Sequence, residues 1–378
     1  MNLEPFQIAT ADAELDDLRR RLAQTRWPEP LEPGSWASGT DIAYLRELCT
    51  YWEEQFDWKA IEMRLNQWEQ LTTEIDGQRI HLFHVRSAEP DARPLMLLHG
   101  WPSSFWEFSK VIGPLTAPVA HGGDARDAFH VVVPSLPGYA WSGPTNRGGW
   151  DVATMAEAMR QVMHRLGYEQ YGVMGGDWGS LVASRMAMKS PENVKGLYLT
   201  LISLPPLDER DPTEEEMDLA AIHEQHLATE AAYIAVQVTK PQSLAVGLTD
   251  SPAGLAAWIV EKFQSWTDND GDLESILDKD TILANITAYW LTNTALSSAR
   301  MYRESILAGT AAPVSEFVKV PTGVGVFPKE LYRGSRRQAE KLYNIVRWTE
   351  HERGGHFAAL EQPDVFVSDI RAFFAGLR

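Results

Sequence analysis

The feature that most limits what this chain can fold into is a series of short, almost unbroken apolar runs. They are PLMLLHG (94–100), FHVVVPSLPG (129–138), YGVMGGD (171–177) and VKGLYLTLI (194–202), with helix-period segments between them. A strand with one wet face alternates apolar and polar residues, so a strand apolar throughout must be buried on both faces. Strands of that kind alternating with helices predict an α/β fold around a parallel sheet. Upstream, LTTEIDGQRIHLFHV alternates apolar and polar around Asp76-Gly77, which predicts a two-residue hairpin. The strand–helix alternation stops near residue 205 and returns with FVKVPTGVGVF (317–327), IVRWTEHE (345–352) and a terminal helix from Pro363. The stretch between is helical in pattern. The reading is therefore a core in two pieces, 71–204 and 318–378, with a helical cap inserted at 205–317.

Residues 1–70 read as a helical and irregular meander. Leu15, Leu18 and Leu22 fall at helical spacing between Asp12 and Arg26, and Pro28, Pro30 and Pro33 end that pattern. Two more helices are expected, from Asp41 to Phe56 and from Trp58 to Trp68. Trp27, Trp36, Trp52, Trp58 and Trp68 crowd this part and read as packing against a neighbouring domain.

The net charge of −18 argues against nucleic acid or an anionic membrane as partner. Cys49 is the only cysteine, which fits a reducing compartment and a buried filler role. No basic start leads into an apolar run, and no stretch approaches ~20 apolar residues, so a cytoplasmic location without a membrane segment is expected.

Gly175-Gly176-Asp177-Trp178-Gly179 follows a buried strand and leads into a helix expected from Gly179. The spacing is that of a nucleophile elbow, the sharp strand-to-helix turn of α/β hydrolases, and small residues let the two backbones approach. The central residue is Asp, where Ser or Cys would serve acyl transfer. A carboxylate is a poor acyl nucleophile, but it can displace a leaving group from saturated carbon and leave an alkyl ester. Asp177 therefore points to epoxides or alkyl halides. The competing reading is an Asp that only caps the helix.

His99-Gly100-Trp101-Pro102 follows another buried strand and precedes PSSFWEFSKVIGPL, read as a helix with Pro102 in its first turn. Such a fold draws oxyanion donors from this loop and from the residue after the nucleophile, so the backbone N–H groups of Trp101 and Trp178 are assigned to the hole. His99 reads as a loop-stabilising histidine. Arg353-Gly354-Gly355-His356-Phe357 lies between the last strand and the last helix, where the fold places its base, which selects His356. His351 reads as a strand-end surface residue. The acid belongs after the preceding strand, where FPKE supplies Glu330 to orient the imidazole.

With these residues in view, the chain resembles the microsomal-type epoxide hydrolases, including the juvenile-hormone epoxide hydrolases. The resemblance runs over nearly the whole length. It is carried by ELDDLRRRLAQTRWPEP, YWEEQFDWKAIEMRLNQWEQLTTEIDGQRIHLFHV, HGWPSSFWEF, GGDWGS, QVTKPQSLAVGLTDSPAGLAAWIVEKFQSW and RGGHFAALEQP. It implies an α/β-hydrolase fold with an inserted helical cap, and an Asp–Glu–His triad of Asp177, Glu330 and His356. It also implies two cap tyrosines that hydrogen-bond the epoxide oxygen, Tyr233 and Tyr302. The implied reaction converts an apolar epoxide and water to a vicinal diol, in a detoxification setting, without metal or organic cofactor; a homodimer is also implied. Two departures stand out: the membrane anchor of the mammalian members has no counterpart here, and Ala232 replaces the family's Gly before the first cap tyrosine. The rival readings are a haloalkane or haloacid dehalogenase using the same Asp, and a ligand-binding α/β-hydrolase relative without catalysis.

Overall fold

The computed structural model describes residues 3–29, 32, 34–207 and 211–377. Its centre is a nine-stranded sheet: β1 Glu4–Phe6, β2 Gln70–Ile75, β3 Gln78–Val85, β4 Arg93–Leu98, β5 Phe129–Pro134, β6 Tyr171–Gly175, β7 Val194–Leu199, β8 Val318–Val326 and β9 Tyr343–Glu350. The spatial order is β1-β2-β3-β5-β4-β6-β7-β8-β9. Pairing is antiparallel from β1 through β3 to β5, and parallel between all neighbours from β5 to β9. The apolar runs sit in the middle. Every residue of β6 is buried, as the absence of alternation requires. Ile75 pairs with Gln78 across Asp76-Gly77, both of which have positive φ.

Helices cover this sheet. They are α4 Ile112–Thr116, α5 Val152–Arg165, α6 Asp177–Lys189, α13 Arg336–Ala339, α14 Ala358–Glu361 and α15 Pro363–Ala375. The α5 side chains Val152, Met155, Ala156, Met159, Val162 and Met163 form one buried stripe, and the Asp151 carboxylate accepts the Thr154 N–H at its start. Packing places α6 over β4, β6, β7 and β8, and α15 over β7 and β8.

Among the described residues six helices lie between β7 and β8: α7 Glu214–Thr229, α8 Ala232–Thr239, α9 Pro241–Asp250, α10 Pro252–Trp266, α11 Lys279–Thr292 and α12 Ala295–Leu307. In the N-terminal part, α1 Asp12–Ala23, α2 Ile42–Glu54 and α3 Trp58–Leu65 bury Leu15, Leu18, Leu22, Trp52 and Trp58. This part braces the inserted helices. The Thr40 hydroxyl donates to the Ala257 carbonyl at 2.6 Å, the Tyr51 hydroxyl donates to Asp280 at 2.9 Å, and Lys279 pairs with Glu47 at 2.6 Å.

Three local expectations are corrected. The first 70 residues also hold β1, whose three residues are too few to display an alternation; it pairs with β2 through Glu4–Thr72 and Phe6–Gln70. PSSFWEFSKVIGPL is not one helix but a 3-10 turn, Phe105–Phe108, followed by α4. Pro114 has no N–H to give, so it fits in the first turn of α4 but stops a helix arriving from upstream. Pro102 stands outside any helix, in a cis bond after Trp101. The helix after the elbow begins at Asp177 itself rather than Gly179. Helix α1 ends before Pro28, whereas Pro30 and Pro33 lie outside the described residues.

Gly179 shows how closely α6 must approach the sheet. A Cβ there would lie 2.1 Å from the Leu98 carbonyl oxygen and 2.7 Å from that of His99, and backbone cannot rotate aside. Gly179→Ala is expected to lose about 3 kcal/mol of stability, as overpacking at a rigid contact does. Gly247 is exposed within α9 with nothing within 4 Å, so Gly247→Ala should gain ~0.5–1 kcal/mol from helix propensity. Urea unfolding midpoints check both: an unchanged or raised midpoint for Gly179→Ala would contradict the placement of α6, and a lowered one for Gly247→Ala that of α9.

Candidate active site

Asp177 stands at the end of β6 as the first residue of α6, with φ of 46°, a left-handed conformation that an Asp rarely holds. The twist turns its carboxylate toward the loop after β4. There Oδ1 accepts the Trp101 N–H at 2.8 Å, and the Trp178 N–H also hydrogen-bonds the carboxylate. Gly100 makes the approach possible: a Cβ on it would lie 2.0 Å from Asp177 Oδ1. Burial pushes the Asp177 carboxyl above its usual range, while the His356 charge and the two N–H groups pull it back.

His356 lies between β9 and α14 and reaches the other carboxylate oxygen, with Nε2 3.6 Å from Oδ2. Its Nδ1 is 2.7 Å from Glu330 Oε1. Glu330 has no proton to give when ionised, so the network assigns the proton to Nδ1 and turns Nε2 toward Asp177. The two loops are tied side by side: the Lys329 N–H donates to the Gly354 carbonyl at 3.1 Å, and the His356 N–H donates to the Trp266 carbonyl at 2.9 Å. Burial disfavours the imidazolium, but the carboxylates of Glu330, Asp177 and Glu107 outweigh it and hold His356 at about 9. At neutral pH the His356 imidazole of the unreacted site is therefore a cation, and it stands beside the Asp177 carboxyl group.

Tyr233 on α8 and Tyr302 on α12 come down onto the same residues that supply the backbone donors. The Tyr233 ring stacks on Trp101 at 5.1 Å and 12°, and Tyr302 meets Trp178 edge to face at 4.6 Å. The two tyrosine rings are 6.0 Å apart. Both phenols are buried and held well above their ordinary range, chiefly by burial, with the Asp177 charge adding to it. They remain protonated and able to donate. Asp177, His356, Glu330, Tyr233, Tyr302 and the Trp101 and Trp178 amides thus converge on one place. A carboxylate anchored at one oxygen with phenols nearby is arranged to attack a carbon while the phenols receive the departing oxygen.

The other singled-out residues lie elsewhere or do other work. His99 is fully buried; its Nε2 accepts the Leu136 N–H at 3.1 Å, and burial lowers it to about 4, so it braces the loop as a neutral ring. His351 is not a surface residue. Its side chain is 10% exposed, stacked on Phe327 at 4.5 Å with Nε2 3.3 Å from Asp369 Oδ2, because α15 closes over the end of β9. Cys49 is buried and its thiol is pushed up to about 12 by burial. Among the described residues no three His, Cys, Asp or Glu side chains converge as metal ligands would.

Motif reading passed over two buried charged residues. Glu107 sits in the Phe105–Phe108 turn, with its carboxyl hydrogen-bonded to the Ser103 side chain and pushed by burial to about 8. Its signal was a carboxylate in the small and apolar run HGWPSSFWEF. Lys262 sits on α10, and its signal was a lysine inside AAWIVEKFQSW.

The charge arrangement can be checked directly. The His356 ring should titrate near 9 by nitrogen-15 NMR. Removing the paired charge with Glu330→Gln should lower that value by roughly one unit or more. An unchanged titration would mean that Glu330 does not govern the imidazole.

Comparison with known proteins agrees with this geometry. Residues 3–108 match the family model described as epoxide hydrolase N terminus, and residues 93–243 match that of the alpha/beta hydrolase fold. A relative from Stigmatella aurantiaca (strain DW4/3-1) is 44% identical, covering 100% of this chain and 86% of its own. Epoxide hydrolase 1 of Sus scrofa is 35% identical, covering 98% of this chain and 88% of the pig protein. The crystal structure of juvenile hormone epoxide hydrolase from the silkworm Bombyx mori superposes with a TM-score of 0.90 at 32% identity, covering 100% of this chain and 95% of that one. The chain belongs to the microsomal and juvenile-hormone type of epoxide hydrolases within the α/β-hydrolase superfamily, and it is an enzyme that hydrolyses epoxides.

Proposed function

We propose that the enzyme works through a covalent ester on Asp177 and acts on epoxides with apolar substituents. The observation that carries this reading is the asymmetry of the Asp177 carboxylate: Oδ1 is held by the Trp101 N–H at 2.8 Å, and Oδ2 is left facing His356 at 3.6 Å. Oδ2 attacks the less hindered epoxide carbon. As that carbon–oxygen bond breaks, Tyr233 and Tyr302 hydrogen-bond the ring oxygen, and one phenol gives it a proton that solvent later restores. A glycol monoester results, with Oδ1 as its carbonyl oxygen already in the amide hole.

Alkylation removes the Asp177 charge, one of the charges that keep His356 protonated. The imidazole then loses its proton more readily and takes one from water. Hydroxide adds to the ester carbonyl, and the oxyanion forms on Oδ1 against the Trp101 and Trp178 amides. Collapse expels the diol oxygen, which takes the proton from His356, and Asp177 is regenerated. Glu330 holds the ring in the useful tautomer and stabilises its cation. The aromatic surroundings of the carboxylate, Trp101, Trp178, Tyr233, Trp266 and Tyr302, favour apolar substituents. The phenols favour an alkoxide over a halide as the leaving group, since a halide needs no proton.

His356→Gln should form the ester and fail to release it, so intact-protein mass spectrometry after styrene oxide treatment should show one added substrate mass. Unmodified, inactive protein would defeat the covalent reading. Tyr233→Phe and Tyr302→Phe should each slow ester formation by about 30- to 1,000-fold, the worth of one hydrogen bond to developing charge.

The pH dependence has a definite sign. A base acts only when neutral, so ester hydrolysis should rise with pH and level off. Its inflection should lie below the value of about 9 held by His356 in the unreacted enzyme, because the ester lacks the Asp177 charge. Rapid-quench decay of the ester at a series of pH values measures this, and an inflection at or above the resting value would overturn the charge argument.

A further inference from the structure

Lys262 is an unusual lysine. It lies on α10 among the buried residues Ile259, Val260, Phe263 and Trp266, and it is itself 4% exposed. A buried ammonium normally gathers carboxylates and carbonyls around it. The carboxylate recorded against this one is that of Glu261, its chain neighbour. Its other partners are ring faces: Nζ lies 4.8 Å from the centroid of Tyr233 and 5.7 Å from that of Trp266. Both distances are within the range in which a cation is attracted to an aromatic face. Among the described residues no Lys or Arg stands over the Tyr302 ring in this way.

We infer that Lys262 is a positioning residue that strengthens Tyr233 as the proton donor to the opening epoxide, by holding a positive charge against the face of its ring. The inference rests on the reading of Tyr233 given above. When a phenol gives up its proton, the negative charge spreads from the oxygen into the ring. A cation at the ring face favours the phenolate over the phenol, so the hydroxyl donates more strongly as the carbon–oxygen bond breaks. The proton passes from the Tyr233 oxygen to the epoxide oxygen, and the short-lived phenolate takes one back from solvent.

The need for such a charge is visible in the surroundings. Burial comes first among the influences that hold the phenol up, and the negative charges of Asp177, Glu330 and Glu261 act in the same direction. The hydrogen bond with Tyr302 acts the other way, and Lys262 sets a positive charge at the ring face from α10. Its location also tells against a surface role, since the ammonium is buried within the inserted helices rather than in water. Tyr302, without a cation on its face, is left as a hydrogen-bond donor. The two cap tyrosines are thus unequal.

A double-mutant cycle on the full-length enzyme tests this, with styrene oxide as probe and single-turnover ester formation as the readout. Lys262→Met should slow ester formation by about three- to thirtyfold, the span expected of a buried cation over a ring. The ester's hydrolysis should keep its rate, and Lys262→Arg should restore formation. In a Tyr233→Phe background, Lys262→Met should cost nothing more, because the hydroxyl through which it acts is gone. An equal loss in both backgrounds would overturn the inference and leave Lys262 as packing. If Tyr233→Phe alone does not slow ester formation, the reading of Tyr233 fails instead, and the two failures are separate. Should Lys262→Met not fold, the ratio of the Lys262→Arg to the Lys262→Gln rate replaces it. A ratio well above one with Tyr233 present and near one in the Tyr233→Phe background supports the inference, and equal ratios overturn it.

Discussion

The site depends on the charge and hydrogen bonds that replace solvent around the Asp177 carboxyl group. Taking a carboxylate out of water is costly unless charge and hydrogen bonds replace the solvent. Here the replacement comes from three separate parts of the chain: the loop after β4 with the Trp101 N–H, the elbow with the Trp178 N–H, and the loop after β9 with His356. Each of these exists because of a tight backbone constraint. Gly100 clears space beside Oδ1, Gly179 lets α6 press on the strand end, and the bridge between Lys329 and Gly355 keeps Glu330 beside His356. The parallel centre of the sheet is what brings these strand ends to a common edge.

The inserted helices meet this carboxylate through its donors. Tyr233 stacks on the Trp101 ring and Tyr302 meets the Trp178 ring edge to face, so the same two residues offer backbone N–H groups to Asp177 and ring contacts to the phenols. Trp266, at the end of α10, gives its carbonyl to the His356 N–H while its ring meets that of His356 at 5.1 Å. The position of the phenols relative to Asp177 is therefore set by aromatic packing. The N-terminal helices brace α10 and α11 from outside and hold that packing in register.

Much of the fold was legible in the sequence, because continuous apolar runs have few other uses and turns such as Asp76-Gly77 have local chemistry. The elbow and the His356 loop were legible for the same reason, since their glycines answer local backbone demands. What escaped depends on distant partners. Three residues of β1 show no periodicity, and only pairing with β2 makes them a strand. His351 looked exposed at a strand end because Asp369, 18 positions away on α15, cannot be foreseen as its neighbour. Lys262 drew no reading from the sequence, because its neighbour Tyr233 lies 29 positions away on another helix.

Glu107 completes the charge balance. The carboxyl groups of Asp177, Glu330 and Glu107 act on the imidazole of His356, and Glu361 also feels its charge. Were all three ionised, two negative charges would stand unmatched in a place with little water. Burial resolves this by raising Glu107 to about 8, so that below that value it is mostly neutral and serves as a hydrogen-bonding group with Ser103. The Asp177 carboxyl meets two N–H groups and the His356 charge, which offset part of the effect of burial, and the Glu330 carboxyl faces Nδ1 of His356 at 2.7 Å. Identical functional groups are thus given different environments by burial and by the number of donors each one meets.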